Sequence, residues 1–162
     1  MEVDGLYQVG DKVFYPMYGA GIIEAIEERE VLGKTQEYCV ITIPLSNMDV
    51  MIPMKTVSSS RIRSITTKKE AANILFNFHN EASSCSLSSK ERLRKNTEKM
   101  KTGDMQGTAE VVRDLLYYRK EKALNVSEKQ MLDHAKKILI SELVFIKGIT
   151  EAEASDLLKL IS

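Results

Sequence analysis

Val9-Gly10-Asp11-Lys12-Val13-Phe14-Tyr15-Pro16-Met17-Tyr18-Gly19-Ala20-Gly21-Ile22-Ile23 reads as a turn, a short aromatic strand, a reversal and the start of a second strand. Gly10-Asp11 is a turn pair, and Val13, Phe14 and Tyr15 suit a pleated, half-buried surface. Gly19 and Gly21 suit a chain that takes positive φ or lets two backbones pass closely. A small, strongly curved β-barrel begins with such a corner. The residues up to about Ile65 are expected to build on it.

Outward from that corner, Ala20 to Glu30 continues as a long strand with apolar positions at Ile22, Ala25 and Ile26, and Leu32-Gly33-Lys34 reverses it. Gln36 to Pro44 is rich in β-branched and aromatic residues, and its closing proline ends the pairing or marks an edge. Met48 to Pro53 is a further short strand. Arg61-Ile62-Arg63-Ser64-Ile65 alternates basic and apolar, as a last strand with one wet face would. Short strands at this density predict a five-stranded SH3- or Tudor-like barrel over residues 1–65.

The pattern then changes. Thr67 with Glu70, Ser88 with Glu91, Ser127 with Gln130 and Thr150 with Glu153 each match the capping box that opens a helix. Another helix is expected after Gly103, with Asp104 as N-cap, running through Tyr118 to about Lys122. Ala109, Val112, Leu115 and Leu116 keep helical spacing there, as do Met131, Leu132, Ala135, Ile138 and Leu139 further on. The segment Ser83 to Leu87 reads as a loop. The expected class is α+β: the barrel, then an all-helical domain of about five helices over 66–162.

The chain has 162 residues, 43% of them hydrophobic and 28% charged, as in an ordinary soluble globular protein. No apolar run has the length of a membrane-spanning helix, and Met1 to Gly5 lacks the pattern of a secretory leader, so a cytoplasmic protein is expected. Cys39 and Cys85 are expected to be reduced thiols, and His79 and His134 have no metal-ligand spacing. Net charge is zero, yet Ser88 to Thr102 carries six basic residues against two acidic ones. No phosphate loop, zinc-protease helix, nucleophile elbow or Cys-x-x-Cys pair is present. Neither catalysis, a metal nor a cofactor is expected. A thiol enzyme centred on Cys39 is disfavoured, because burial in an apolar strand raises a thiol's pKa.

Two features suggest binding instead. Val50-Met51-Ile52, bounded by prolines, with Arg29 at the end of the long strand, suggests an open sheet edge able to accept a partner's strand. The other reading is an ordinary blunted edge. Lys90, Arg92, Arg94, Lys95, Lys99 and Lys101 crowd one helix, with Arg92, Lys95 and Lys99 spaced for one face and Arg94 and Lys101 for another. Phosphate contact is one reading and a solvated helix face the other.

The opening Val9 to Pro16 with Gly19 and Ala20 resembles the start of the CarD family of bacterial transcription regulators. Lys101-Thr102-Gly103-Asp104, Ala109 to Leu115, Ser127 to Leu132 and Ala135 resemble the second half of that family. The first module is also similar to the polymerase-interacting domain of transcription-repair coupling factors. The resemblance implies strand pairing between the barrel edge (Val50, Met51, Ile52, with Arg29) and the RNA polymerase β subunit. Met51 falls where some members carry an arginine. It also implies contact between the helical domain and upstream promoter DNA, largely independent of sequence, that modulates open-complex stability. Arg92, Arg94 and Lys129 fall at basic positions of that surface, and with Ser89 and the neighbouring Lys90 and Lys95 they form the candidate DNA-binding set. The family's minor-groove tryptophan falls at Ser89, and the chain has no Trp; Leu87 and Leu93 are the nearby apolar side chains. The alternative is an adaptor that bridges two proteins through the same modules without touching DNA.

Overall fold

In the computed structural model, which describes residues 7–81 and 87–159, the opening corner is a β-hairpin. Strand β1 (Lys12–Tyr15) pairs antiparallel with β2 (Gly19–Val31), Tyr15 lying opposite Gly19. Between them the Tyr18 N–H donates to the Tyr15 carbonyl at 2.9 Å. Met17 accepts a φ of 75° to close this turn, and Gly19 one of 117°. Gly21 serves a different purpose: a Cβ there would run into the Thr42 carbonyl oxygen of the neighbouring strand.

That neighbour is β3 (Lys34–Ile43), followed by β4 (Met48–Pro53) and a two-residue β5 (Arg63–Ser64). The strands form one antiparallel, barrel-like sheet, open at its edges, in the order β4-β3-β2-β1-β5. The last strand is shorter than the sequence suggests. Part of the chain before it forms a 3-10 turn, Met54–Ser59, whose Met54 and Val57 join the core of Val13, Ile23, Cys39, Ile41 and Ile43. Leu32-Gly33, with φ of 53° and 79°, turns β2 into β3. Two successive positive φ values are what a two-residue hairpin turn needs to match strand twist.

The apolar phase of β2 departs from the sequence reading. Ile23 is fully buried, whereas Ile22 is half-buried. Ile23 pairs with Ile41 and Ala25 with Val40, leaving Glu24 as an extra residue in a bulge. A bulge shifts the two-residue alternation by one. Ile23 before it and Ile26 after it therefore point to the same interior, opposite Ile41 and Cys39.

The chain divides into residues 1–65 and 66–162. The second unit contains α1 (Lys68–Asn80), α2 (Ser89–Thr102), α3 (Met105–Glu121), α4 (Val126–Lys147) and α5 (Glu151–Leu157). Thr67, Ser88, Asp104 and Thr150 cap four of them by accepting backbone N–H donors, and Thr150 with Glu153 makes the full reciprocal box. The fourth helix corrects the expectation at Ser127. Its cap is Asn125, which accepts from the Glu128 N–H at 2.8 Å, so Ser127 and Gln130 lie within the helix. Asn and Ser cap comparably well, and the earlier start leaves Glu128 in the first turn. Val112, Leu115, Leu116, Leu132, Ala135, Ile138 and Leu139 are buried as their spacing predicts. Glu142, buried in α4, accepts from both the Thr66 N–H (2.8 Å) and hydroxyl (2.9 Å), fixing the first residue of this unit. Cys85 and most of the loop expected over 83–87 lie outside the described residues.

Two substitutions test this reading of the sheet. Gly21→Ala forces strand against strand and is expected to cost about 1–3 kcal/mol, as overpacking does. Leu32, 99% exposed at positive φ, is better served by asparagine; Leu32→Asn is expected to raise stability by about 0.5–1 kcal/mol. Urea midpoints at unchanged m-value report both.

Candidate functional site

Strand β4 pairs only with β3 and ends the sheet, so among the described residues its outer main-chain groups face no further strand. Register decides which side chains accompany them. Val50 lies opposite Ile41 and Ile52 opposite Cys39, so both turn inward, and Ile52 is buried in the core. Met51, opposite Val40, points outward and is 38% exposed. Asp49 shares that outer face, where its carboxylate accepts from the Thr42 hydroxyl at 3.0 Å. Of the three edge residues read from the sequence, Met51 alone presents its side chain to the outside; Val50 and Ile52 contribute backbone.

Arg29 also lies on the outer face, paired with Gln36, beyond the end of β4 at Pro53 opposite Tyr38. Strand spacing puts it roughly 16 Å from Met51, four residues along and two strands across. Its guanidinium holds Glu27 through Nε (3.0 Å) and Nη2 (2.7 Å), both residues being exposed. Such a pair contributes about 0–1 kcal/mol, so an incoming carboxylate can exchange with Glu27 at small cost.

In α2 the expected basic face splits. Arg92 is buried, with Asn96 and Met100, on the side that packs inward. Its Nε donates to Glu128 Oε2 at 2.6 Å, its Nη2 to Glu128 Oε1 at 3.0 Å and its Nη1 to the Leu87 carbonyl at 3.0 Å. The guanidinium lies 3.5 Å from the centre of the Tyr118 ring. Hydrogen bonding to Glu128 holds its pKa above the ordinary value despite burial. Arg92 is thus a structural residue, and its assignment to a DNA-facing surface is corrected: its donors are already committed inside the protein. Lys99 is likewise engaged, pairing with Glu110 of α3 at 2.9 Å.

The remaining positions are outside. Ser89, Lys90, Arg94 and Lys95 are exposed, and Arg94 makes a loose 3.7 Å pair with Glu98. Lys129 is exposed in the first turn of α4, next to the Glu128 that joins α4 to α2. The Arg92–Glu128 pair therefore brings Lys129 to the start of α2, which sequence spacing alone does not reveal. Leu87, just before the Ser88 cap, is 37% exposed, while Leu93 is half-buried. Sequence reasoning missed Glu128 and Tyr118 as the partners of Arg92; a glutamate that close to a helix start looks like an ordinary first-turn acid.

Cys39 is fully buried, and desolvation first, then the charge of Asp11, push its thiol above the ordinary value. No group of three or more potential metal ligands occurs among the described residues. No described helix is long and apolar enough to cross a membrane.

Comparison with known proteins agrees with this division. The model of the CarD-like/TRCF RID domain matches residues 7–66, and that of the CarD C-terminal domain matches residues 73–159. A Bacillus subtilis (strain 168) protein named "Putative transcription factor YdeB" is 53% identical over 148 residues, covering 91% of this chain and 97% of its own length.

Removing Arg92 leaves the Glu128 carboxylate buried without its partner, so Arg92→Met is expected to cost about 3–5 kcal/mol, against less than about 0.5 for Arg94→Met. Urea unfolding compares the two. Glu110 gives a pH test. Burial pushes its carboxyl up, but hydrogen bonds from Gln106 and Lys99 and the charges of Lys99 and Arg113 together bring it below its ordinary 4.5. A depressed carboxylate stabilises above its ordinary value, and that contribution is lost as pH falls through the folded one. Glu110→Gln should therefore flatten the acid side of the stability profile below about pH 4.5; an unchanged acid limb contradicts the assignment.

Proposed function

Because the chain belongs to the CarD family, we propose that it regulates transcription initiation by pairing its β4 edge with a strand of the RNA polymerase β subunit and laying the exposed cations of its helical unit against upstream promoter DNA. The observation that carries the reading is the free edge of β4, with Met51 turned outward beside it, in a domain matched by the polymerase-interacting family model. An added strand gains affinity from main-chain hydrogen bonds and selectivity from alternate side chains. Met51 supplies an apolar contact at that edge, and Arg29 supplies a charge that can leave Glu27 for a partner's acid.

On the helical unit, Lys90, Arg94, Lys95 and Lys129 supply phosphate contacts, with Ser89 at the helix start. These contacts carry no base readout. They are weak singly, but tethering through polymerase raises the local DNA concentration, so modest contacts bias melting. Serine at position 89 cannot wedge between base pairs. Leu87, two residues earlier and partly exposed, is the apolar side chain best placed to do so. In this reading the protein is a non-enzymatic cytoplasmic regulator.

Arg29→Glu is expected to weaken capture of the isolated polymerase β lobe at least tenfold while leaving the urea midpoint near wild type; unchanged capture contradicts the edge assignment. Replacing Lys90, Arg94 and Lys129 with Glu should shorten promoter-complex lifetime. It should also reduce the salt dependence of DNA binding by about 0.9 in the log–log slope for each phosphate that is no longer neutralised. Unchanged lifetime and slope, with polymerase binding retained, would favour an adaptor whose helical unit docks a protein.

A further inference from the structure

Away from α2, the helical unit has a second concentration of positive charge. Leu116, Arg119, Lys120, Lys136, Ser155 and Leu158, from the last turns of α3, the middle of α4 and the end of α5, line an open cleft of about 400 Å³ that Lys159 also borders. Arg119 and Lys136 also wall a smaller hollow of about 120 Å³ that reaches Lys129.

The cations there are not equivalent. Arg119 and Lys120 sit in the last turn of α3, where positive charge answers the helix dipole. Lys159 is held by Asp156 at 3.0 Å, and the Lys120 ammonium lies 5.2 Å from the Tyr117 ring centre. Lys136 has no such explanation. It lies in the middle of α4, far from either end, so the dipole asks for no cation there. Asp133, one turn before it, is engaged by Lys137 at 3.0 Å. Lys136 is half-buried as a residue, its ammonium keeps access to water, and it has no carboxylate partner among the described residues. A lysine stem covers apolar surface while its ammonium stays at the water boundary, so Lys136 and Arg119 together offer cationic heads to an anion in the cleft. The buried Leu116 and Leu158 give the cleft an apolar floor, and Ser155 adds a hydroxyl. An apolar floor, a few polar groups and this volume match a small-molecule site more closely than a groove that follows a duplex backbone.

We infer that the cleft between α3, α4 and α5 binds a phosphate ester of about nucleotide size, its phosphate held by Lys136 and Arg119 and its less polar body resting on Leu116 and Leu158. The cleft itself contains none of the cations assigned to promoter DNA, although the hollow beside it reaches Lys129, and the inference stands whether or not the polymerase reading does.

The test is an amide NMR titration of the full chain with ADP, with adenosine, with inorganic pyrophosphate and with a short DNA duplex. Saturable shifts confined to amides around Arg119, Lys136, Ser155 and Leu158 are expected with ADP, and weaker ones at the same amides with pyrophosphate. Adenosine should give none. Lys136→Gln and Arg119→Gln should each weaken ADP binding at least tenfold while the free-protein spectrum stays folded. ADP shifts scattered over all exposed lysines, or unchanged by both variants, overturn the inference. So do shifts at these amides with the duplex alone, because the occupant is then a backbone phosphate.

Discussion

Between Gly21 and the Thr42 carbonyl there is no room for a side chain, and that close approach, with the bulge at Glu24 just beyond it, sets the register of β2 on β3. Which face of β2 and β3 turns inward follows from this register. A one-residue slip exchanges the two faces of a strand; in β4, paired with β3, it would turn Met51 into the core and send Val50 and Ile52 outward. Instead Ile23, Ile26, Cys39, Ile41, Val50 and Ile52 share the interior face. The outer face carries Arg29, Asp49 and Met51. The edge left at β4 thus combines a sealed interior with an outward thioether and main-chain groups that face no further strand among the described residues, the combination that strand addition requires.

The second unit is organised by a different constraint. Arg92 and Glu128, 36 residues apart in sequence, make a bidentate pair roofed by Tyr118. That pair ties the first half of α2 to the start of α4 and sorts the basic residues of the region. Arg92 is buried and Lys99 is engaged by Glu110, whereas Lys90, Arg94, Lys95 and Lys129 are exposed. A buried ion pair need not add net stability; what this one does in the fold is hold the start of α4, with Lys129, beside α2.

Much of this was legible in the sequence wherever local chemistry decides. Thr67, Ser88, Asp104 and Thr150 cap helices as their side chains suggest, and the apolar positions of α3 and α4 lie inside. The five-stranded sheet followed by helices, and the membership of the CarD family, were both readable. What resisted was long-range. The bulge at Glu24 depends on how β2 meets β3, and adjacent Ile22 and Ile23 give no clue to the phase. Asn125 and Ser127 are comparable caps, so the two-residue difference was set by tertiary context. Arg92 looked like one more cation on a basic helix because its partner lies so far along the chain. The cleft around Lys136 draws on α3, α4 and α5, and no window of sequence contains it.

The proposed role requires β4 to remain available as the strand that polymerase adds to. Hydrogen exchange on the full chain, with and without the isolated polymerase β lobe, tests this most directly. Amides within residues 49–52 whose N–H points away from β3 should exchange rapidly in the free protein and become strongly protected in the complex. A tight complex that leaves those amides exchanging as before, with protection elsewhere on the chain, would contradict it.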